Sequence, residues 1–223
     1  MNFESFVLAA ATADLGDEPA AREHADAVEF RMDLASRPLD ALAAYDGTLP
    51  LIATNRTVEE GGEASEGQER LDALERAAEF STVEAVDVEL ISIADGDGAR
   101  VTEHAREYDT AVIVSTHDFS GTPPRTEMEE TLARAAEYGD VAKLAVTAET
   151  PDDVLALLSV TRELDTAGHQ VATMTMGTVG RHSRAVTPLY GSKIAYAPVS
   201  PEKATAPGQY DLATLSGLLD ALR

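Results

Sequence analysis

A chain of 223 residues can enclose one sizeable core, and 44% of its residues are apolar, so 40 acidic against 17 basic residues describe a folded protein with an acidic surface. The formal charge of -23 argues against nucleic acid and anionic membranes as partners, and the absence of cysteine excludes disulfides, thiolate nucleophiles and Cys-ligated metals. Only three of the cations are lysines, and the acid excess reads as a hydrated coat of the kind that keeps proteins soluble in concentrated salt.

The N-terminal "MNFESFVLAAATADLG" lacks a basic leader, and no later run approaches the roughly 20 apolar residues of a membrane helix, so a cytoplasmic location is expected. From "SFVLAAA" onward, short β-type runs recur: "AVEFRMDL", "LPLIATN", "AVDVELI", "AVIVSTH", "VAKLAVT", "QVATMTM" and "KIAYAPV". The soft "EEGGEASEGQE" after the third reads as a loop over a site. Amphipathic acidic helices are predicted in "GQERLDALERAAEF", "TEMEETLARAAEYG", "TPDDVLALLSVTRELDTAG" and "DLATLSGLLDAL". The third has the clearest ends, with Thr150 as N-cap, Pro151 in the first turn, Asp153 at N3 and Gly168 just past the end.

Eight strands alternating with helices imply parallel pairing through crossovers, which predicts a closed (β/α)8 TIM barrel formed by residues 1–223 as a single domain. A doubly wound open sheet is the structural alternative. Side chains two apart on a strand share a face. Glu29, Arg31 and Asp33 therefore oppose Val28, Phe30 and Met32; Asp87 and Glu89 oppose Val86, Val88 and Leu90; and Lys143 opposes Ala142, Leu144 and Val146. The apolar faces can pack on helices, which leaves the charged faces for the barrel interior and its mouth.

Lys143 is the most informative residue, because a lysine inside an apolar strand needs a use. A free lysine has a pKa near 10.4, and catalytic lysines are brought down to roughly 7 or 8 so that the neutral amine can attack a ketone as an imine-forming nucleophile. His117, at the end of the preceding strand, is the candidate proton shuttle. His24 and His104 fall on acidic helical segments and His169 follows Gly168, which suggests solvated positions; His182 lies in the loop "GTVGRHSR". Arg31, Arg56 and Arg184 are candidate grips for an anion or screens for the lysine, with ordinary ion pairing as the alternative for each. A Ser-His-Asp triad through Ser115 lacks a nucleophile elbow, and Asp87, Glu89 and His117 lack the density of a metal motif. The glycines of "MGTVGRHSR" fit a substrate carboxylate as well as a phosphate.

In order, "EFRMDL", "TNRTVEEGG", "VDVEL", "STHDFSGTP", "AKLAV", "MTMGTVGRHSR", "YGSKIAY" and "ATAPGQ" span nearly the whole chain, and together they resemble the type I 3-dehydroquinate dehydratases, Schiff-base enzymes of the shikimate pathway. The resemblance implies that Lys143 forms the imine, that His117 is the general acid/base and that Glu60 orients it. It also implies that Glu29, Arg31, Arg56 and Arg184 hold the substrate's hydroxyls and carboxylate. Thr205, Ala206 and Gln209 correspond to a closing loop, and Met174 and Met176 to an apolar wall. Tyr196 stands where the aromatic is often Phe, and Thr205 where Ser is common. The implied substrate is 3-dehydroquinate, with no metal or organic cofactor, and the implied assembly is a homodimer. A class I aldolase-type barrel and a silent sensor of a shikimate-pathway acid are the competing readings.

Overall fold

The computed structural model describes all residues of the chain except 95, 205, 207 and 223. Each predicted run forms a strand: β1 (Val7–Thr12), β2 (Ala27–Arg31), β3 (Leu51–Thr54), β4 (Val83–Glu89), β5 (Ala111–Asp118), β6 (Val141–Thr147), β7 (Val171–Met176) and β8 (Ile194–Pro198). Their order is β7-β6-β5-β4-β3-β2-β1-β8, and every ladder pair is parallel. The ring meets itself where Val171 bridges Ser192, with Lys193 N donating to Val171 O at 2.7 Å and Thr173 N to Ser192 Oγ at 3.0 Å. That circuit is a (β/α)8 barrel and not an open sheet.

Helices Gln68–Ala78, Arg125–Ala136, Pro151–Thr166 and Leu212–Leu222 occupy the predicted segments. Pro151–Thr166 begins with a full capping box between Thr150 and Asp153, and Gly168 takes a φ of 91° beyond its end. A further helix, Pro38–Ala44, begins with proline in its first turn. His104 lies on the helix Ala99–Glu107, whereas His24 sits on a turn after the four-residue helix Glu18–Ala21. The departure at His24 is a consequence of length: Asp26 is already pairing with Leu8 N at 2.9 Å at the entrance to β2, so the helix has no room to continue.

Strand alternation divides the apolar residues as expected. Val28, Phe30, Val86, Val88, Val112, Val114, Leu144 and Val146 join the core beneath the helices. Ala27, Ile52, Ala85, Ile113, Val141, Ala145, Ala172 and Ile194 fill the barrel interior. Phe3, with a φ of 50°, places a fully buried ring in the same interior cluster and plugs the N-terminal end. The interior is thus apolar below, and the polar residues are confined to its C-terminal half.

Candidate active site

Lys143 is lifted into that half by β6, where Ser115 and Ala172 are its register partners on β5 and β7. It is 4% exposed. Its Nζ lies 2.8 Å from Asp87 Oδ2 and 4.0 Å from Glu29 Oε1, and 4.4 Å from the centroid of the Tyr196 ring. The other Asp87 oxygen accepts from Ser115 Oγ at 2.6 Å and lies 2.8 Å from Arg56 Nη2. Burial by itself would raise the Asp87 carboxyl, but Arg56 and then Lys143 outweigh it and hold the group far below the usual carboxylate range.

Arg56 also reaches Glu89 at 2.8 Å and Ser115 Oγ at 2.7 Å, and Glu89 in turn holds Arg70 at 2.8 Å and the Thr57 amide at 3.2 Å. Arg31 forms a two-point pair with Asp33, at 2.9 and 2.7 Å. These paired ions form a buried belt in which removing one partner would strand a charge. Asp87, Glu89 and His117 therefore do not converge as a metal set, since each carboxylate is committed to cations and His117 to Glu60.

His117 extends from the end of β5 with Nδ1 2.8 Å from Glu60 Oε2, and the same oxygen accepts the His117 amide at 3.0 Å. Glu60 ends a short 3-10 turn, Val58–Glu60, that continues into Gly61 at a φ of 81°. The next residue, Gly62, passes so close to the Arg56 carbonyl that a Cβ there would lie 2.1 Å from its oxygen, so the turn carrying Glu60 is keyed to the backbone of the arginine. Burial pushes the Glu60 carboxyl up to about 7. Burial, with Arg56 and Lys143 acting in the same sense, holds the His117 imidazole well below 6.5. A neutral imidazole with its Nδ1 committed to a carboxylate leaves Nε2 free to take a proton.

Arg184, from the helix Ser183–Val186, is unlike the other two arginines. It is 2% exposed, its Nε and Nη2 find no acceptor among the described residues, and burial lowers its pKa to about 10. Among the described residues its guanidinium donates only to Met174 Sδ, 3.8 Å from Nη1. Ala206 N donates to Gln209 Oε1 at 3.1 Å in the loop above, while Thr205 lies outside the described residues. Every other candidate residue lines one cleft of about 490 Å³, whose wall is completed by Gly61, Phe119 and Ala145.

The cleft thus brings together a buried lysine, a carboxylate-held histidine and an arginine without an acceptor among the described residues, and comparison with known proteins bears out the family that the sequence resembles. The model of the family described as Type I 3-dehydroquinase matches residues 7–223. The chain belongs to the type I 3-dehydroquinases. It is 58% identical to the 3-dehydroquinate dehydratase of Haloarcula marismortui, with 100% of this chain and 99% of the relative covered. Identity to that of Halobacterium salinarum is 53%, with both chains covered in full. The crystal structure of 3-dehydroquinate dehydratase from Geobacillus kaustophilus matches with a TM-score of 0.84 at 27% identity, covering 98% of this chain and 91% of that one.

As a type I 3-dehydroquinase, the protein is a hydro-lyase that dehydrates 3-dehydroquinate in the shikimate pathway, which decides against the aldolase and sensor readings. The acidic composition fits its haloarchaeal relatives. No helix among the described residues is long and apolar enough to cross a membrane. Reading the sequence did not single out Asp87 as the lysine's partner, nor Ser115 and Arg70 as parts of the belt. The inward placement of Asp87 and Ser115 was legible from strand alternation, but the stagger between strands sets which inward side chains meet, and Arg70 reaches the belt from the helix Gln68–Ala78.

Proposed function

We propose that Lys143 and His117 carry the dehydration in the cleft described above. The supporting observation is that both line the same cleft as Arg184, a buried guanidinium with no protein acceptor among the described residues. Arg184 takes the substrate carboxylate, and Glu29 and Arg31 take its hydroxyls. Arg56 supplies positive charge from the belt, and Met174, Met176 and Tyr196 form the wall. Ala206 and Gln209, which line the cleft, close it from the loop after β8.

The deprotonated Nζ of Lys143 attacks the C3 carbonyl, and loss of water gives the imine. Asp87, bonded to the amine, keeps Nζ pointed at that carbon. His117 removes a proton from C2, and the electron pair moves into the imine to form an enamine. The pair then returns to form the C1–C2 double bond as the C1 hydroxyl leaves with the proton from His117 as water. Hydrolysis releases 3-dehydroshikimate and restores Lys143. The imine is the electron sink, so the sequence of steps calls on no metal or organic cofactor. The chain is further proposed to act as a single barrel domain over residues 1–223, in the cytoplasm, as a homodimer and without nucleic acid. The acidic surface supports the last point, and sedimentation equilibrium decides the dimer.

Borohydride reduction in the presence of 3-dehydroquinate, in concentrated potassium chloride, should leave an adduct on the Lys143 peptide. Lys143→Ala should lose turnover and adduct together while melting as a folded protein. His117→Ala should keep the adduct and lose most turnover, about 10²–10⁴-fold. A folded wild-type protein that turns over substrate without a Lys143 adduct would refute the scheme.

A further inference from the structure

Tyr196 has a polar atom that the fold does not use. The residue is 4% exposed, and its hydroxyl has no hydrogen-bond partner among the described residues. Its ring face lies over the Lys143 ammonium, a contact that a phenylalanine ring would make equally well. The packing of β8 therefore accounts for the ring and leaves the oxygen unexplained. Burial, reinforced by Asp87 and Glu29, holds the phenol well above its usual pKa, so it is present as a donor at any working pH.

The strand order says what it can donate to. His117 is on β5, one strand to one side of Lys143, and Tyr196 is on β8, two strands to the other. An imine carbon at C3 has two ring neighbours. If the C2 hydrogen is turned toward His117, then C4 and its hydroxyl are turned toward Tyr196. Glu29, 4.0 Å from the lysine nitrogen, supplies an acceptor to the same region, and it already accepts from Thr54 Oγ1 at 3.1 Å through the same oxygen. A substrate hydroxyl both donates and accepts, so a carboxylate and a phenol are complementary partners for it.

We infer that the Tyr196 hydroxyl donates a hydrogen bond to the C4 hydroxyl of the substrate while Glu29 accepts one from it, which makes Tyr196 a specificity-determining residue. The inference rests on the Lys143–His117 scheme above, which orients the ring. It also places the cost of an unsatisfied buried hydroxyl in the empty enzyme and its relief in the complex.

The test is Tyr196→Phe, assayed on 3-dehydroquinate and on its 4-deoxy analogue, with the analogue's Ki read where its turnover is slow. Melting temperatures are taken without ligand. The variant should lose roughly threefold to tenfold in kcat/KM on 3-dehydroquinate and nothing on the analogue, and should melt at the same or a higher temperature. Equal losses on both compounds, no loss on either, or a lower melting temperature would each overturn the inference. A wild-type protein that forms no Lys143 adduct would instead overturn the underlying scheme, so the two failures are distinguishable.

Discussion

In the proposed scheme, the proton balance between His117 and Glu60 should set the acid side of the pH profile. With the imidazole held well below 6.5 and the carboxyl pushed up to about 7, lowering the pH protonates Glu60 first. The imidazolium formed during proton abstraction then loses its counter-charge. We expect kcat/KM to fall as the pH drops through about 7, and Glu60→Gln to abolish that limb. The variant's plateau should be lowered by about tenfold, since only the support of a base worth roughly 10²–10⁴-fold is lost. An unchanged acid midpoint in the variant would remove Glu60 from this role. Arg184 is the reverse case, a charge kept in the empty protein at a cost to stability. Its lowered pKa of about 10 means that the penalty is present throughout the range below that value and does not vary near neutrality. Arg184→Met should therefore melt at an equal or higher temperature without ligand, while KM for 3-dehydroquinate rises by about tenfold or more. A clear loss of stability would assign the side chain to the fold.

The helices hold the barrel from outside, and their ends can be changed without touching the cleft. Thr150 Oγ1 accepts from Asp153 N at 3.4 Å, and Asp153 Oδ2 accepts from Thr150 N at 2.7 Å. The helix they start buries Val154, Leu157, Leu158 and Val160. Thr150→Ala should cost about 1 kcal/mol in urea unfolding with kcat and KM unchanged. A kinetic effect would mean that this helix end communicates with the site. The loop elements are built more tightly. The turn carrying Glu60 depends on the close approach of Gly62 to the Arg56 carbonyl, so one irregular segment positions both a candidate catalytic carboxylate and the belt's central arginine.

Across the molecule, a formal charge of -23 is spread over a surface on which pairs such as Arg100 with Asp72 and Glu75, or Arg125 with Glu163, offset only a part of the acid. Exposed pairs of this kind contribute little each, and the remaining carboxylates repel one another. The screening length falls from about 10 Å at 0.1 M salt to about 3 Å at 1 M. The melting temperature should therefore rise with potassium chloride over that interval. A gain that continues well beyond 1 M would point to hydration of the acidic coat, and a flat response would remove repulsion as a determinant of stability. The belt of Arg56, Asp87, Glu89 and Arg70 is shielded from this screening because it is buried.

Taken alone, the sequence determined what depends on periodicity and local chemistry. Eight apolar runs became eight strands, alternation sent Lys143 inward and Leu144 outward, and Thr150 and Asp153 marked a helix start. It also determined the family, through motifs spread along the chain whose order one sequence displays in full. Only the tertiary structure decided which inward groups meet. That Asp87 and not Glu89 holds the lysine, that Arg56 is engaged by both carboxylates, and that the Tyr196 hydroxyl faces no protein partner among the described residues follow from the stagger of strands around the closed ring. The Arg31–Asp33 pair, by contrast, is local, and Arg184, without an acceptor among the described residues, comes from a helix beyond β7. Stagger is a property of the closed sheet, arising from strand tilt and the register between neighbours, and no single strand's residues encode it.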